Sequence, residues 1–166
     1  MKKSKKTKGK GFNVPGMRHM RCPYCGSMVH LRSADGIYKI NKDNTQLYVC
    51  SNYPVCDAYV RVHPGTTTPV GSLANAKLRA LRMTAHQHFD KLHQTGLMSK
   101  DGAYEWLAFI LQSPRSQAHI GYQSEYYCNR IIEESTKFFS NSKWKLNNIN
   151  NRHGPAVIGG ERYAAQ

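Results

Sequence analysis

Four cysteines in two closely spaced pairs form the chemically most informative pattern in the sequence. Cys22 and Cys25 are separated by two residues, and Cys50 and Cys56 enclose a longer turn that contains Pro54. Two thiolates on one tight turn can hold the same metal ion, and four of them make a closed tetrahedral zinc site. The pattern therefore predicts a structural Zn²⁺ bound by all four cysteines.

Two histidines lie close enough to these cysteines in the sequence to compete for the metal. His30 follows the first pair and His63 follows the second, so a site in which one of them replaces a cysteine is an alternative. A second alternative is that the cysteines are two unrelated buried pairs that bind no metal, although paired spacing of this kind is typical of zinc sites. Few large aliphatic residues surround the cysteines, so we expect metal binding to supply much of the folding free energy of this segment.

The residues around the cysteines resemble the C-terminal zinc ribbons of type IA DNA topoisomerases. The resemblance covers under a third of the chain and is carried by Cys22-Pro-Tyr-Cys-Gly-Ser and Tyr48-Val-Cys-Ser-Asn-Tyr-Pro-Val-Cys56. It implies a small β zinc ribbon that binds single-stranded DNA by stacking bases on exposed aromatic rings. Nothing in the chain resembles the topoisomerase catalytic machinery, so the resemblance does not imply strand passage.

A longer stretch, from Cys22 to about Glu133, resembles an uncharacterised phage and bacterial family described only as zinc-finger-containing. The features that carry this resemblance are spread over the stretch and include His63, Gly71-Ser-Leu-Ala, Ala85-His86, Trp106-Leu107-Ala108 and His119-Ile120-Gly121. This second resemblance implies a zinc-binding protein of phage type but brings no known activity.

The charge of the chain indicates a polyanionic partner. The sequence has 24 Lys and Arg residues against 10 Asp and Glu residues, a formal net charge of +14. Six lysines, among them Lys3, Lys5 and Lys6, lie in the first ten residues, and the first acidic residue is Asp35. Such an excess is typical of nucleic-acid-binding proteins, although a lysine run alone is also typical of a solvated tail. We expect nucleic acid as the partner, and DNA in preference to RNA.

The segment that contains the four cysteines also carries five tyrosines, too many for so small a module to bury completely. Tyr24 and Tyr53 lie on the cysteine turns, so we expect these two to be exposed and to stack on bases, while others form the ribbon core. Arg21, Arg32 and Arg61 are the neighbouring cations that we expect to contact phosphates.

Composition divides the chain into four parts. Residues 1–17 form a basic arm that we expect to be disordered, and residues 18–64 form the zinc ribbon, with candidate strands at 37–40, 46–50 and 58–62. Residues 65–71 are typical of a linker. Residues 72–143 show helical periodicity, and residues 144–166 are Asn-rich and Gly-rich, which predicts a flexible extension. The predicted fold class is α+β: a small β zinc ribbon followed by a three-helix α domain.

Serine residues mark the expected starts of the three helices. Ser72 is a candidate N-cap of the first helix, Ser99 or Asp101 of the second, and Ser124 of the third. Pro114 closes the second helix.

The first predicted helix carries a polar stripe beside its apolar stripe. The members of the stripe are Arg79, Arg82, His86, Asp90 and His93. Arg79 and Arg82 are candidates for phosphate contact, but boundary residues of this kind more often satisfy neighbouring loops, and we expect that structural role to dominate.

Three functional interpretations follow. The leading one is a zinc-dependent nucleic-acid-binding protein without enzymatic activity, which recognises single strands or binds without sequence preference. The second is a phage-encoded protein that modulates a host nucleic-acid machine such as a polymerase. The weakest is a nuclease that uses His63, His86, Asp90 and His119, because no carboxylate pair or recognised catalytic signature is present.

The apolar segments of the sequence are short. The longest unbroken apolar run, residues 106–111, is far too short to span a bilayer, and the stretch after the lysines is not the apolar core of a signal peptide. We therefore expect a cytoplasmic protein with no membrane partner, where a reducing environment favours thiolate metal ligands over disulfides.

Overall fold

The computed structural model describes the backbone of residues 20–152 and the side chains of residues 20–141. A three-stranded antiparallel sheet is followed by three α-helices, which confirms the predicted α+β fold class. The basic arm with Lys3, Lys5 and Lys6, and the end of the C-terminal extension, lie outside the described residues. None of the helices in the described part is both long enough and apolar enough to cross a membrane.

The sheet is built around its middle strand. Strands β1 (Val29–Ser33), β2 (Gln46–Cys50) and β3 (Tyr59–Arg61) pair antiparallel in the order β1-β2-β3. Successive side chains of a strand point to opposite faces of its sheet. The last four residues of β2 are all buried, so apolar groups cover both faces of the sheet.

The strand predicted at residues 37–40 is wrong. The chain turns at Gly36, which has a φ of +76°, and the Tyr38 N–H donates to the Ala34 carbonyl at 2.8 Å. These residues therefore belong to the loop between β1 and β2. The sequence pattern did not predict strand β1 at residues 29–33, because only Val29 of its five residues is buried.

The helices are α1 (Ala76–Gln94), α2 (Lys100–Leu111) and α3 (Glu125–Arg152), and the short 3₁₀ turns Arg115–Gln117 and Ile120–Tyr122 lie between α2 and α3. The side chain of Ser99 accepts the Gly102 N–H at 3.0 Å, which confirms its predicted role as the N-cap of α2. Ser72 is not the cap of α1. Asn75 takes that role, because its side-chain oxygen accepts the Leu78 N–H at 2.9 Å.

Helix α3 continues through residues 144–152, which the sequence pattern assigned to a flexible extension. Asparagine is a weak helix former, so the Asn-rich composition of this segment led to the prediction of a flexible extension. Residues 125–152 contain no glycine and no proline, the two residues that interrupt helices most strongly. The next such residues in the sequence are Gly154 and Pro155.

The segment predicted as a linker, residues 65–71, folds back onto the end of β3. The His63 N–H donates to the Thr68 carbonyl at 2.8 Å, and the Val70 N–H donates to the Arg61 carbonyl at 2.9 Å. These bonds make the segment part of the sheet region.

The chain divides into two compact units. Unit 1 contains the described residues up to Met83 together with His119–Tyr126, and unit 2 contains Thr84–Ala118 and the described residues from Tyr127 onward. Unit 1 holds the sheet with its two apolar clusters. The core of unit 2 includes Phe89, whose ring meets that of Tyr104 edge-on at 5.2 Å, and the buried Leu107.

Two glycines allow two loops of unit 1 to cross in direct backbone contact. The Ser72 N–H donates to the Gly121 carbonyl at 3.0 Å. A Cβ at Gly71 would lie 2.0 Å from the Gly121 carbonyl oxygen, and a Cβ at Gly121 would lie 2.5 Å from the Val70 carbonyl oxygen. Both positions therefore require glycine for the crossing to exist.

Candidate metal centre and the surrounding surface

The first pair of cysteines lies on a tight turn, residues 22–26, called here knuckle 1. The Cys22 N–H donates to the Ser27 carbonyl at 2.8 Å, and the Gly26 N–H donates to the Cys22 carbonyl at 2.9 Å. Gly26 has a φ of +72°, a conformation that glycine adopts without steric cost. The turn therefore brings Cys25 back beside Cys22.

The second pair lies on residues 50–56, called here knuckle 2, which follows directly from β2. The Tyr53 N–H donates to the Cys50 carbonyl at 3.0 Å, and the Cys56 N–H donates to the Asn52 carbonyl at 2.9 Å. The Ser51 N–H donates to the Met28 carbonyl at 2.9 Å and so ties knuckle 2 to the residues that follow knuckle 1. Local turns and sheet pairing thus place both pairs at one site.

The four sulfur atoms lie within 4.8 Å of one another. The Sγ atoms of Cys22 and Cys56 are 3.6 Å apart, and those of Cys25 and Cys50 are 3.3 Å apart. A tetrahedral Zn²⁺ with Zn–S bonds of 2.3 Å would set sulfur atoms about 3.8 Å apart, so the cluster fits the ion with only small shifts. All four cysteines are free thiols, and together they supply the complete ligand set of a structural zinc site.

The histidine alternatives do not join this cluster within the described residues. His30 pairs with Val49 across the sheet, so its side chain lies on the face opposite to that of Cys50, the next residue of β2. His63 is exposed beyond the end of β3. The cluster is therefore built from cysteine alone.

The thiols of the cluster differ in acidity. Hydrogen bonds with Ser27 lower the pKa of the exposed Cys25 thiol to about 6. Burial raises the pKa of the Cys50 thiol to about 12. A bound Zn²⁺ holds its cysteine ligands as thiolates, so binding of the ion at this cluster would release the proton of the Cys50 thiol.

Knuckle 1 presents an aromatic ring and a cation to solvent. The Tyr24 side chain is 42% exposed, in line with its predicted position on the turn. Arg21 is exposed and donates to the Gly26 carbonyl at 3.2 Å. Both are available to a ligand that approaches this end of the ribbon.

Tyr53 was predicted to be exposed, and this expectation is corrected by the structure. Its ring is half-buried because knuckle 2 folds over the sheet and packs the ring against the cluster of Ala34, Leu47 and Val49. Tyr48, by contrast, is a core residue whose hydroxyl donates to the Thr67 carbonyl at 3.0 Å.

The same face of the sheet also carries two predicted phosphate contacts. Arg32 of β1 and Arg61 of β3 both pair with Leu47 of β2, so their side chains lie on one face, on either side of Leu47. We call this surface the tyrosine face. It consists of Arg32, Arg61 and the half-buried tyrosines that pack against the same cluster, namely Tyr38, Tyr53 and Tyr59.

The rings of the tyrosine face contact one another and a further cation. Tyr38 and Tyr59 meet edge-on at 6.2 Å, and the Arg79 guanidinium lies 3.6 Å above the centre of the Tyr59 ring. Burial raises the pKa of Tyr38, Tyr59 adds to the effect, and the positive charges of Arg61 and Arg79 oppose it. Sequence reasoning did not single out Tyr38, because only the packing of its loop against the cluster of Ala34, Leu47 and Val49 places it on the same face as the arginines.

Arg79 and Arg82 of the polar stripe bind loops of unit 1. Arg79 donates to the Asp57 and Ala74 carbonyls at 2.7 and 2.6 Å. Arg82 is buried and donates to the Ser72 carbonyl at 2.8 Å, to the Ser72 hydroxyl at 2.6 Å and to the Gln123 carbonyl at 2.8 Å. This arrangement agrees with the expectation that the stripe satisfies neighbouring loops.

The remaining members of the stripe belong to unit 2. His93 Nε2 lies 3.6 Å from a carboxylate oxygen of Asp90, and His86 precedes this pair by one turn of α1. His63 and His119, the other residues of the nuclease alternative, belong to unit 1 and are exposed.

Replacement of Arg82 by Met should lower the free energy of unfolding by about 2–3 kcal/mol, because the hydrogen bonds from the buried Arg82 guanidinium to the Ser72 and Gln123 carbonyls are lost. Chemical denaturation would measure the change. Lys77→Met is the matched control on the same helix: its ion pair with Glu125 is exposed and should contribute less than about 1 kcal/mol. Equal stability of the two variants would contradict the structural role of Arg82.

Comparison with known proteins places these features in a family. A family profile described as a zinc-finger-containing domain matches residues 18–138, which is most of the chain and includes all four cysteines of the cluster. No curated protein and no solved structure matches the chain.

Proposed function

We propose that this chain, which belongs to the zinc-finger-containing domain family, is a zinc-dependent nucleic-acid-binding protein. The observation that carries the proposal is the distribution of charge between the two units. In the described part, unit 1 has eight Lys and Arg residues against four Asp and Glu residues, while the described side chains of unit 2 include five of each. Among the described side chains, the positive excess therefore lies in the unit that contains the zinc ribbon, which favours a polyanion as its ligand.

The zinc centre has a supporting role in this function. Four protein ligands fill a tetrahedral site, so the metal would fix the two knuckles and leave no position for a catalytic water. We therefore propose a binding role and no catalysis. The resemblance of the knuckles to topoisomerase zinc ribbons, together with the aromatic rings of unit 1, favours single strands as the ligand.

A salt-dependent mobility-shift assay with single-stranded and duplex DNA and RNA tests this function. We expect the zinc-loaded protein to bind at low salt and to lose affinity as salt increases. Absence of binding at low salt would contradict the proposal and favour a protein partner such as a polymerase, with Phe109 of unit 2, 77% exposed, as a candidate contact. Metal-dependent cleavage of the probe would instead support the nuclease alternative.

Deletion of residues 1–10 should weaken the salt dependence of binding without changing base preference. Each phosphate contact to a single strand contributes about 0.7 to the slope of log affinity against log salt. Loss of the six lysines of the arm should therefore reduce this slope by up to about 4. Titrations of oligothymidine and oligoadenosine at several salt concentrations measure both quantities.

A variant in which these six lysines are replaced by glutamine serves as the control for chain length. It should reproduce the effect of the deletion, since the lysine charges cause the effect. An unchanged slope in both variants would show that the arm does not contact phosphates.

A further inference from the structure

The tyrosine face combines cations and rings in an order that suits an extended polyanion. Arg32 and Arg61 flank the buried Leu47, and neighbouring strands are about 4.8 Å apart, so the two arginine backbones are separated by about 10 Å. Tyr38 and Tyr53 pack on the floor that Leu47 helps to form. Two cationic groups therefore border a surface of aromatic rings.

The arginines of this face are available to a ligand. Both side chains are exposed, and neither forms an ion pair within the described part of the chain. Arg32 donates to the Asp35 backbone carbonyl at 3.3 Å, which orients its guanidinium while most of its five donors stay accessible. Of the four described carboxylates of unit 1, Asp57 and Glu125 are paired with cations of α1. The Asp35 carboxylate, close to Arg32, accepts hydrogen bonds from Ser33 and Asn41. The charge of the face is thus complementary to phosphate.

The rings of the face are held in place before any ligand binds. Arg79 covers one side of the Tyr59 ring, and the edge contact between Tyr59 and Tyr38 supports the Tyr38 ring in turn. Tyr53 is fixed by knuckle 2, whose ends are two cysteines of the metal cluster. A rigid aromatic ring loses little conformational entropy when a base stacks on it, so this support favours stacking.

We propose that the tyrosine face is a binding surface for single-stranded nucleic acid, with Arg32 and Arg61 contacting phosphates and Tyr38 and Tyr53 stacking on bases. The proposal rests on the nucleic-acid-binding function proposed above and assigns it to a surface. Only unpaired bases offer their flat faces to these rings, so single strands bind better than duplex. Phosphates and base faces are common to DNA and RNA, so the tyrosine face itself does not distinguish strands of the two kinds.

The test uses the full-length, zinc-loaded protein and fluorescent oligothymidine of about 12 nucleotides, a length within the range that one small single-strand-binding fold covers. The double variant Arg32→Gln/Arg61→Gln, called here the face variant, is compared with Lys77→Gln/Lys91→Gln, which removes the same charge from exposed positions of α1. The face variant should reduce the salt slope by about 1.4, two contacts of about 0.7 each, and the matched variant should leave it unchanged.

Tyrosine variants test the stacking component. Tyr38→Leu should weaken binding of the single strand about tenfold without changing the salt slope, whereas Tyr38→Phe, which keeps the ring, should bind like the wild type. Duplex DNA of the same length should respond equally to the two variants, and oligouridine should repeat the pattern of oligothymidine. Zinc content and circular dichroism confirm that each variant is folded.

The outcomes separate this proposal from the function on which it rests. If the wild type binds no nucleic acid at low salt, the proposed function fails and the surface assignment fails with it. If the wild type binds but the face variant matches the Lys77→Gln/Lys91→Gln variant, only the surface assignment is overturned. Loss of binding on Tyr24→Leu, with Tyr38→Leu unchanged, would overturn it as well and assign the strand to knuckle 1.

Discussion

Replacement of Cys50 by Ser should unfold the sheet region of unit 1. The Cys50 thiol belongs to the cluster of four cysteines and is buried at the end of β2. From Cys50 the chain continues directly into knuckle 2. A structural Zn²⁺ contributes about 10–16 kcal/mol to the folding of small zinc modules, as much as the whole stability of a typical domain. The small clusters on the two faces of the sheet cannot replace a contribution of this size.

Three measurements test the expected loss of the metal and of the sheet. Metal analysis should give one Zn²⁺ per wild-type chain and none for the Cys50 variant, because three thiolates bind the ion much more weakly than four. Hydrogen exchange should show protection of β1, β2 and β3 disappear in the variant. Treatment of the wild type with a strong chelator should produce the same change, and added zinc should reverse it.

Cys128 provides the matched control for this experiment. It is the fifth cysteine, fully buried on α3 and not part of the metal cluster. Cys128→Ala should retain one zinc ion and full protection of the sheet, with a loss of about 1 kcal/mol for the small cavity. A Cys50 variant that keeps the sheet protected, or a Cys128 variant that loses zinc, would contradict the assignment of the ligands.

The metal cluster could be predicted from the sequence because its information is local. The spacing of Cys22 and Cys25 encodes one turn, and the spacing of Cys50 and Cys56 encodes another. Only the pairing of the two turns is non-local, and the number of ligands that a tetrahedral metal needs supplies that constraint. Helix α2 was predictable for the same reason, since its cap, Ser99, lies next to its first residue.

The surface around the metal could not be predicted in the same way, because it depends on strand register. Arg32 and Arg61 are 29 positions apart in the numbering, and they share a face only because both pair with Leu47. The prediction that Tyr53 is exposed was wrong, because the local sequence of a turn does not show which part of the sheet the turn packs against. Register is set by pairing between strands, and a shift by one residue would move each of these side chains to the other face.

Alternation along β2 connects the metal centre with the proposed binding surface. Tyr48 and Cys50 point to the face that carries the cysteine cluster, and Leu47 and Val49 point to the tyrosine face. One strand of five residues therefore supports both sites from opposite sides. Metal loss should consequently abolish nucleic-acid binding by the tyrosine face even though none of its arginines or tyrosines is a metal ligand.

The crossing of two loops in unit 1 predicts the second large effect. Gly71→Ala should lower the free energy of unfolding by more than about 4 kcal/mol, because the new Cβ would lie 2.0 Å from the Gly121 carbonyl oxygen, a backbone atom that cannot move aside alone. Separation of the loops would also break the bond from the Ser72 N–H to that carbonyl and displace the acceptors that Arg82 binds. Chemical denaturation of the zinc-loaded protein would measure the loss.

Gly102→Ala is the control that separates this contact from a general effect of replacing glycine. A Cβ at Gly102 would meet the Ser99 hydroxyl at 3.2 Å, the end of a side chain, and alanine favours the helix in which Gly102 lies. Its unfolding free energy should stay within about 1 kcal/mol of the wild type. Gly121→Ala should resemble Gly71→Ala, since its Cβ would lie 2.5 Å from the Val70 carbonyl oxygen. Because both loops belong to the unit that carries the metal centre, a Gly71 variant as stable as Gly102→Ala would mean that the crossing does not hold unit 1 together.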